Sequence, residues 1–562
     1  MGYRIGIDLG TTNSAVAYTA NGRRECALID PKAEVLGGKV VPSCIGIAPG
    51  GQIVVGQVAK MGKMSDQVRE FKRGIGKGLA YELGGKLYSS LDLSAFLLAR
   101  IREAFESTVG EIEGAVITVP ANYLDAQRRE VYEAAARAGL NVLRLINEPS
   151  AAAIAYSVSE RKPSGIGLVV DWGGGTLDVS LVDCDTDVLD VLASDGDAEN
   201  GGKDLDQAMF DLLLRKYASD FGPLRGDRVS ENWLRLECER IKIALSSQDR
   251  WDEPVVIKEK RLFVDVEITR AEAEAVFEPW VERVIGSIQR VLKKAPQGAV
   301  GPADVHDVML VGGSCYLPLL RRRIQSMFGR PGRTDVNPME VVALGAAYQA
   351  DHAHTTGALT VLHSTATNLG MSCVGIDSKG VPRDNLFSVI IPTATKVPAR
   401  RTETYFTVRD DEDSVMLHVL EGEGETTEGC VVLDVREIAV PLAKAAAFPI
   451  NVTFDYDIQQ MLRVTVEIPG RPNFEWVLPV QQRLVDGRAE SRVKLDGLVD
   501  EGLKPFVELA AKVRDALPPY GADASRAALE SIKQALQERN MDKTTRCAEK
   551  LRAALFDDGI NA

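Results

Sequence analysis

Two stretches of this 562-residue chain place a carboxylate, glycines and threonines at the tip of an apolar hairpin. Residues 5–17, IGIDLGTTNSAVA, run as a strand to Asp8, turn through Gly10, Thr11, Thr12 and Asn13, and enter a second apolar strand. Residues 167–182, GLVVDWGGGTLDVSLV, repeat the plan with Asp171, Gly173, Gly174, Gly175 and Thr176. One such hairpin reads equally well as a plain turn; a matched pair reads as two similar halves offering their tips to a shared cleft. The residue types define the chemistry. Glycines let consecutive backbone N–H groups cradle an anion, threonine hydroxyls add donors, and carboxylates beside phosphate require a bridging divalent cation, most simply Mg²⁺. Residues 307–320, DVMLVGGSCYLPLL, predict a strand, a turn at Gly312, Gly313 and Ser314, and a helix start. Such a turn admits an adenosine or α-phosphate, although glycine also serves it with no ligand. No G-x-x-x-x-G-K-[ST] segment occurs and no G-x-G-x-x-G follows a strand, which removes the P-loop and Rossmann readings.

The tips need a scaffold, and the composition is that of a soluble globular chain of several domains: 45% hydrophobic and 26% charged residues. A net charge of −14, with no long run of one sign, argues against nucleic acid or an anionic membrane as partner. Eight scattered cysteines without a C-x-x-C pair read as buried hydrophobes in a reducing compartment. No apolar stretch is long enough to span a bilayer, so a cytoplasmic protein is predicted.

Together the three segments resemble the nucleotide-binding region shared by actin, sugar kinases and the seventy-kilodalton heat-shock proteins. Residues 116–156 (VITVPANYLDAQRREVYEAAARAGLNVLRLINEPSAAAIAY), 71–78 (FKRGIGKG) and 200–207 (NGGKDLDQ) select the last branch, the DnaK-type chaperones. The likeness is dense from residue 3 to about 350 and traceable to about 480. Overall size is similar to that of the short HscC-like bacterial members.

The resemblance implies an α/β actin-like ATPase domain of two similar, ribonuclease-H-like lobes over residues 1–352. In that domain Asp8 and Asp171 organise Mg²⁺, with K⁺ as a further candidate ion. Gly10, Thr11, Thr12 and Asn13 hold ATP or ADP phosphate from one side; Gly173, Gly174, Gly175 and Thr176 hold it from the other. Lys72 stabilises the transferring phosphoryl group, while Glu148 and Asp178 orient the attacking water, giving a catalytic set of Lys72, Glu148, Asp171, Thr176 and Asp178. Without the resemblance, Lys72 reads as a solvated charge. Gly201, Gly202, Gly312, Gly313 and Ser314 line the nucleotide; Glu239, Lys242 and Ser246 reach the ribose, where helical spacing alone gives an exposed charged face. Pro120, Arg128 and Arg144 match positions that couple nucleotide state to the neighbouring domain. Three positions depart from the family: Ile243 and Tyr316 stand where arginines flank the adenine, and Met339 replaces an acid. Tyr316 is expected to stack on the base.

After residue 352 the texture changes. Residues 353–364 read as a linker that keeps the apolar ALTVL of 358–362 without the family's acid, which makes interdomain coupling the least secure inherited property. Short β-branched runs from 365 predict a β-sandwich to 498, resembling the family's peptide-binding domain. Leu369, Met371 and Val374 are placed in a first loop as channel wall, with a strand-core role as the alternative. Residues 499–562 predict a shortened helical lid, with Leu503, Phe506, Val507, Ala510, Val513 and Leu517 on one stripe before Pro518-Pro519. The expected function is ATP-driven binding and release of extended apolar peptide segments of unfolded clients, served by a J-domain co-chaperone and a nucleotide exchange factor. The alternatives are a chaperone-derived ATP sensor with weak peptide coupling and a small-molecule kinase on the same fold.

Overall fold

A computed structural model describes residues 2–478 apart from 33–34, 49, 62–66, 122, 160–162, 164, 185–187, 258–259, 296–297, 299, 354–359, 363–364, 366, 377–381, 394 and 458–460, together with Ser531 and Lys550. The chain divides into two compact units, Met1–Val485 and Asp486–Ala562. The lid stripe expected from Leu503 to Leu517 lies outside the described residues.

Two sheets carry the first part of the chain, and both are wired alike. In the first, Tyr3–Asp8 pairs antiparallel with Asn13–Ala20 and parallel with Ile112–Val119, which in turn pairs parallel with Val142–Asn147. In the second, Ile166–Trp172 pairs antiparallel with Leu177–Asp183 and parallel with Val305–Val311. Ile5, Ile7, Val116 and Ile117 of one sheet, and Leu168, Val169 and Val170 of the other, are buried on both faces. That two-sided burial explains why these strands read as near-continuous apolar runs.

The layer between the sheets is made of small residues. Helix Glu148–Ser157, EPSAAAIAYS, is buried all round, and helix Val341–Asp351 packs against it. Its alanines share one cluster with Val116 and Ile146 of the first sheet and Val169, Met309 and Val311 of the second. An apolar helix without a polar face can only sit inside a large core.

Segment 360–362 of the predicted linker adds a strand to the second sheet, Thr360–Leu362 lying parallel to Val188–Asp197. Past it, the short alternating runs form two four-stranded antiparallel sheets. Their strand orders are Pro382–Ile391, Asn368–Ile376, Ser414–Gly422, Val431–Ala439 and Ala399–Tyr405, Ile450–Tyr456, Leu462–Glu467, Phe474–Val477. Val419, Val452, Phe454 and Val464 fill the space between them.

Here one expectation needs correction. Leu369 and Met371 do not lie in a loop: both belong to strand Asn368–Ile376, and each is 2% exposed within the sandwich core. Alternation along that strand sends Val374 the other way, to 56% exposure, so only it is open to a ligand.

The sandwich packs onto helix Asp125–Arg137. Leu124 precedes that helix without a side-chain cap, and Glu421 supplies one from the sandwich: its Oε2 accepts the Asp125 amide at 3.2 Å. Arg129 pairs with Asp125 on the same helix and donates to the Leu462 carbonyl at 3.1 Å.

Candidate functional site

Chain wiring brings the chemistry to one edge. Asp8, Pro120, Glu148, Asp171 and Gly312 each stand within one residue of the carboxyl end of a strand in the parallel part of a sheet. The crevice outside those ends is where open α/β sheets take ligands. Here it is a cleft of about 510 Å³. Lining it are Asp8, Gly10, Thr11, Thr12, Asn13, Asp171, Gly173, Gly174, Gly175, Thr176 and Asp178 of the two hairpins, Gly312 and Gly313 of the glycine turn, Lys72 of the turn Phe71–Gly74 and Glu148 at the start of helix Glu148–Ser157.

The hairpin tips meet across this cleft. A Cβ on Gly174 would strike the Thr12 side chain, whose Cβ would lie 2.6 Å away, so the approach requires glycine. Gly312 adopts φ +83, and a Cβ there would crowd the Trp172 carbonyl carbon at 2.7 Å. The second hairpin carries one carboxylate more than the first: Asp171 faces Asp178 across its ladder, where Asp8 faces Ala15. Like charges directly opposite destabilise a sheet, so that pair is held for some purpose other than folding.

Lys72 is 5% exposed, which excludes the solvated-charge reading. Its Nζ donates to Glu148 Oε1 at 2.6 Å. Burial works against the charge on Lys72, but Glu148 beside it raises its pKa above the ordinary lysine range. The neighbouring carboxylates move upward as well. Burial and then Glu148 push Asp8 and Asp178 to about 7 against the pull of Lys72, and burial with Glu148, Asp178 and Asp8 raises Asp171 well above its usual range.

Among the described residues no three histidine, cysteine or carboxylate groups converge tightly enough to cage an ion. The excess of carboxylates (Asp8, Glu148, Asp171 and Asp178) over Lys72 fits a divalent cation such as Mg²⁺, which Asp8 and Asp171 would hold.

Of the other residues predicted around the nucleotide only Met339 lines this cleft; Gly201, Gly202, Ser314, Tyr316 and the helix residues Glu239, Lys242, Ile243 and Ser246 do not. Gly201 and Gly202 begin helix Gly202–Lys216, whose first amides bond the Gly173 and Gly174 carbonyls at 3.0 and 2.8 Å. Ser314 Oγ donates to the Gly173 carbonyl at 2.8 Å. On helix Arg228–Leu245, Glu239 pairs with Lys60 at 2.7 Å and Lys242 with Asp206 at 2.6 Å, while Ser246 donates to the Lys242 carbonyl at 3.2 Å. Tyr316 is fixed through its hydroxyl to Asn337 Oδ1 at 2.9 Å, and the Arg321 guanidinium lies 5.2 Å from its ring centroid. A cation is thus present beside the tyrosine ring. Ile243 is exposed, and Met339 lines the cleft beside Gly313.

Pro120 lines the cleft, and Arg128 is buried, donating to Asn147 Oδ1 at 2.8 Å and the Tyr123 carbonyl at 3.2 Å. Arg144 turns instead to Gln349 at 3.2 Å on helix Val341–Asp351.

Comparison with known proteins decides the family. The family model described as Hsp70 protein matches residues 4–82 and 78–475. The chain belongs to the Hsp70 family. It is 33% identical over 523 residues to the Chaperone protein DnaK of Thermotoga neapolitana, covering 91% of this chain and 84% of that one. The corresponding DnaK proteins of Thermotoga petrophila and Thermotoga maritima are each 34% identical over 478 residues, covering 83% of this chain and 78% of theirs.

Sequence reasoning on this Hsp70 missed Asp125, Arg129 and Glu421, and also Glu70, Arg73 and Lys203. All stand inside or near the motifs quoted above except Glu421, yet charge alone marks none of them. Lys72 and Arg73 are neighbours with opposite surroundings, one buried on Glu148 and the other reaching the Gly175 carbonyl.

Proposed function

We propose that the cleft hydrolyses ATP to ADP and phosphate, and that the reaction governs binding and release of extended apolar peptide segments by the β-sandwich. Membership of the Hsp70 family carries the coarse statement: the chain is an ATP-dependent chaperone and an ATPase. The single observation that supports the finer one is the buried Lys72–Glu148 pair set among Asp8, Asp171 and Asp178 where the two hairpin tips meet.

In this reading Thr11, Thr12 and Asn13 and the Gly173–Thr176 turn donate to the phosphates from opposite sides. Lys72, kept protonated by Glu148, neutralises charge that grows on the terminal phosphoryl group in the transition state. Glu148 and Asp178 would orient the attacking water, and Asp178, its carboxyl pushed up to about 7 by burial and Glu148, can accept its proton near physiological pH. Asp8 and Asp171 would hold Mg²⁺, which when bound neutralises phosphate charge. Glu239, Lys242 and Ser246 face the ribose, with Tyr316, Ile243 and Met339 around the base; K⁺ is a second ion candidate.

The domain limits go with this reading: ATPase over 1–352, linker 353–364, sandwich 365–498 and lid 499–562. Val374 is the peptide-wall residue that stays exposed. A J-domain co-chaperone and an exchange factor are the expected partners and the cytoplasm the expected location. No helix among the described residues is long and apolar enough to cross a membrane.

Contacts from Glu421 through Asp125 and Arg128 to Asn147, which precedes Glu148, support coupling between sandwich and cleft over an uncoupled ATP sensor. The test is ATP turnover with and without an unfolded peptide. Stimulation is expected; turnover indifferent to peptide favours the sensor, and turnover that requires a small hydroxyl compound favours the kinase.

A further inference from the structure

The second hairpin tip is also gripped from beside the cleft. Glu70 precedes the short turn Phe71–Gly74 that carries Lys72, and it adopts the left-handed φ of 57. That conformation costs a non-glycine residue free energy, and it persists only where surrounding structure holds it. What holds it here comes from both halves of the cleft. Glu70 Oε2 accepts from Lys203 Nζ at 2.8 Å and lies 3.2 Å from Arg73 Nη1. Lys203 belongs to the first turn of helix Gly202–Lys216, and its amide donates to the Gly174 carbonyl at 2.8 Å. Arg73 Nη2 donates to the Gly175 carbonyl. One carboxylate from the first half thus ties together a lysine at the base of the phosphate turn and an arginine that holds the tip of that turn.

Arg73 lines the cleft, and its Nε is buried with no hydrogen-bond partner among the described residues. A buried guanidinium donor left unmatched is costly, and the chemistry that would match it at this end of the cleft is a phosphate oxygen. We propose that Glu70, Arg73 and Lys203 form a clasp that closes the two halves over the terminal phosphate, with Arg73 as a positioning residue that holds the clasp shut while that phosphate is present. ATP should then be retained by the clasp more firmly than ADP, and phosphate departure should loosen it. The inference rests on the ATP reading of the cleft.

The experiment is stopped-flow dissociation of fluorescently labelled ATP and ADP from the full chain. Lys203→Met should speed ATP release about two- to fivefold, the scale of losing a partly exposed ion pair. Arg73→Ala should speed it roughly tenfold or more, the scale of a hydrogen bond from a charged group, and should alter ADP release less. Glu70→Gln combined with Lys203→Met should be no faster than Glu70→Gln alone, because the Lys203 contact is already lost with the Glu70 charge. Lys203→Arg should restore the original rate.

Release rates that change equally for ATP and ADP, or single effects that multiply in the double variant, overturn the proposal. If no form of the protein binds labelled nucleotide, the ATP reading itself fails. The clasp is then read in nucleotide-free protein by amide hydrogen exchange at Gly173–Thr176, which Lys203→Met should accelerate while exchange in the sandwich stays unchanged; no acceleration overturns the clasp too.

Discussion

Two ionic clusters in this molecule are balanced differently. At the joint between helix Asp125–Arg137 and the sandwich, the carboxylates of Asp125 and Glu421 are matched by the guanidiniums of Arg128 and Arg129. In the cleft, Asp8, Glu148, Asp171 and Asp178 surround Lys72. Buried charge is tolerated only when paired. The joint therefore completes itself when its two faces close, and it opens when one of its arginines is lost. The cleft is short of cations by construction and completes itself only with something from solution. One cluster is built to fasten and the other to receive.

The largest way to break that contrast is at the joint. Arg129→Ala leaves Asp125 buried without its partner and removes the bond to the Leu462 carbonyl, a change of about 3–5 kcal/mol for a broken buried pair. The sandwich should part from the helix, and small-angle scattering should show a larger radius of gyration. An unchanged radius would mean that apolar packing, not this pair, holds the joint.

In the cleft, Lys72→Ala should still bind ATP yet lose turnover by roughly 10²–10³-fold, the scale of removing one preorganised donor. Single-turnover hydrolysis within threefold of the unaltered protein would remove Lys72 from the mechanism.

A pH titration sharpens the comparison. Burial first, then the Asp125 charge, push Glu421 up to about 7, opposed by the Thr367 hydroxyl, the Asp125 amide and Arg128. Asp125 shifts upward too, despite Arg129 and Arg128, and burial raises the Tyr456 hydroxyl far enough to keep it neutral. A carboxyl raised on docking binds a proton more tightly in the docked form. Docking is therefore strongest below the ordinary glutamate pKa of about 4.3 and is lost as pH rises through about 7, by at most about 1.4 kcal/mol per pH unit for one proton. The radius of gyration should grow between pH 5.5 and 8, and Glu421→Gln should flatten that dependence; a profile that Glu421→Gln leaves unaltered would assign the titration elsewhere.

The smallest effect is expected at the rim. Tyr316→Ala should weaken ATP binding by about 0.5–1.5 kcal/mol beyond lost area, since the ring is anchored through its hydroxyl to Asn337 and lies against Arg321. Unchanged affinity by calorimetry would place the ring away from the base.

Much of the cleft was legible in the chain because its chemistry is local. Asp8 with Gly10, Thr11 and Thr12, and Asp171 with the glycines and Thr176, lie within a few residues of each other on hairpins, where backbone geometry alone aims them. The strands of the sandwich were legible for the same reason, since alternation is a near-neighbour pattern. What failed was the assignment of Leu369 and Met371 to a loop: an apolar residue on a strand looks the same whether its face meets a peptide or the opposite sheet, and only the packing of Val452 and Phe454 against that face settles it.

By itself, then, the sequence determined the paired hairpins, the glycine turn and the change to β texture, each written in a short contiguous stretch of chain. Tertiary structure decided which charges act. Lys72 became a buried cation because Glu148 arrives from 76 residues away, and Glu421 became a helix cap because the sandwich brings it 296 residues to Asp125. The physical reason is that a charged side chain takes its properties from burial and from its partner, and neither is encoded in its immediate neighbours.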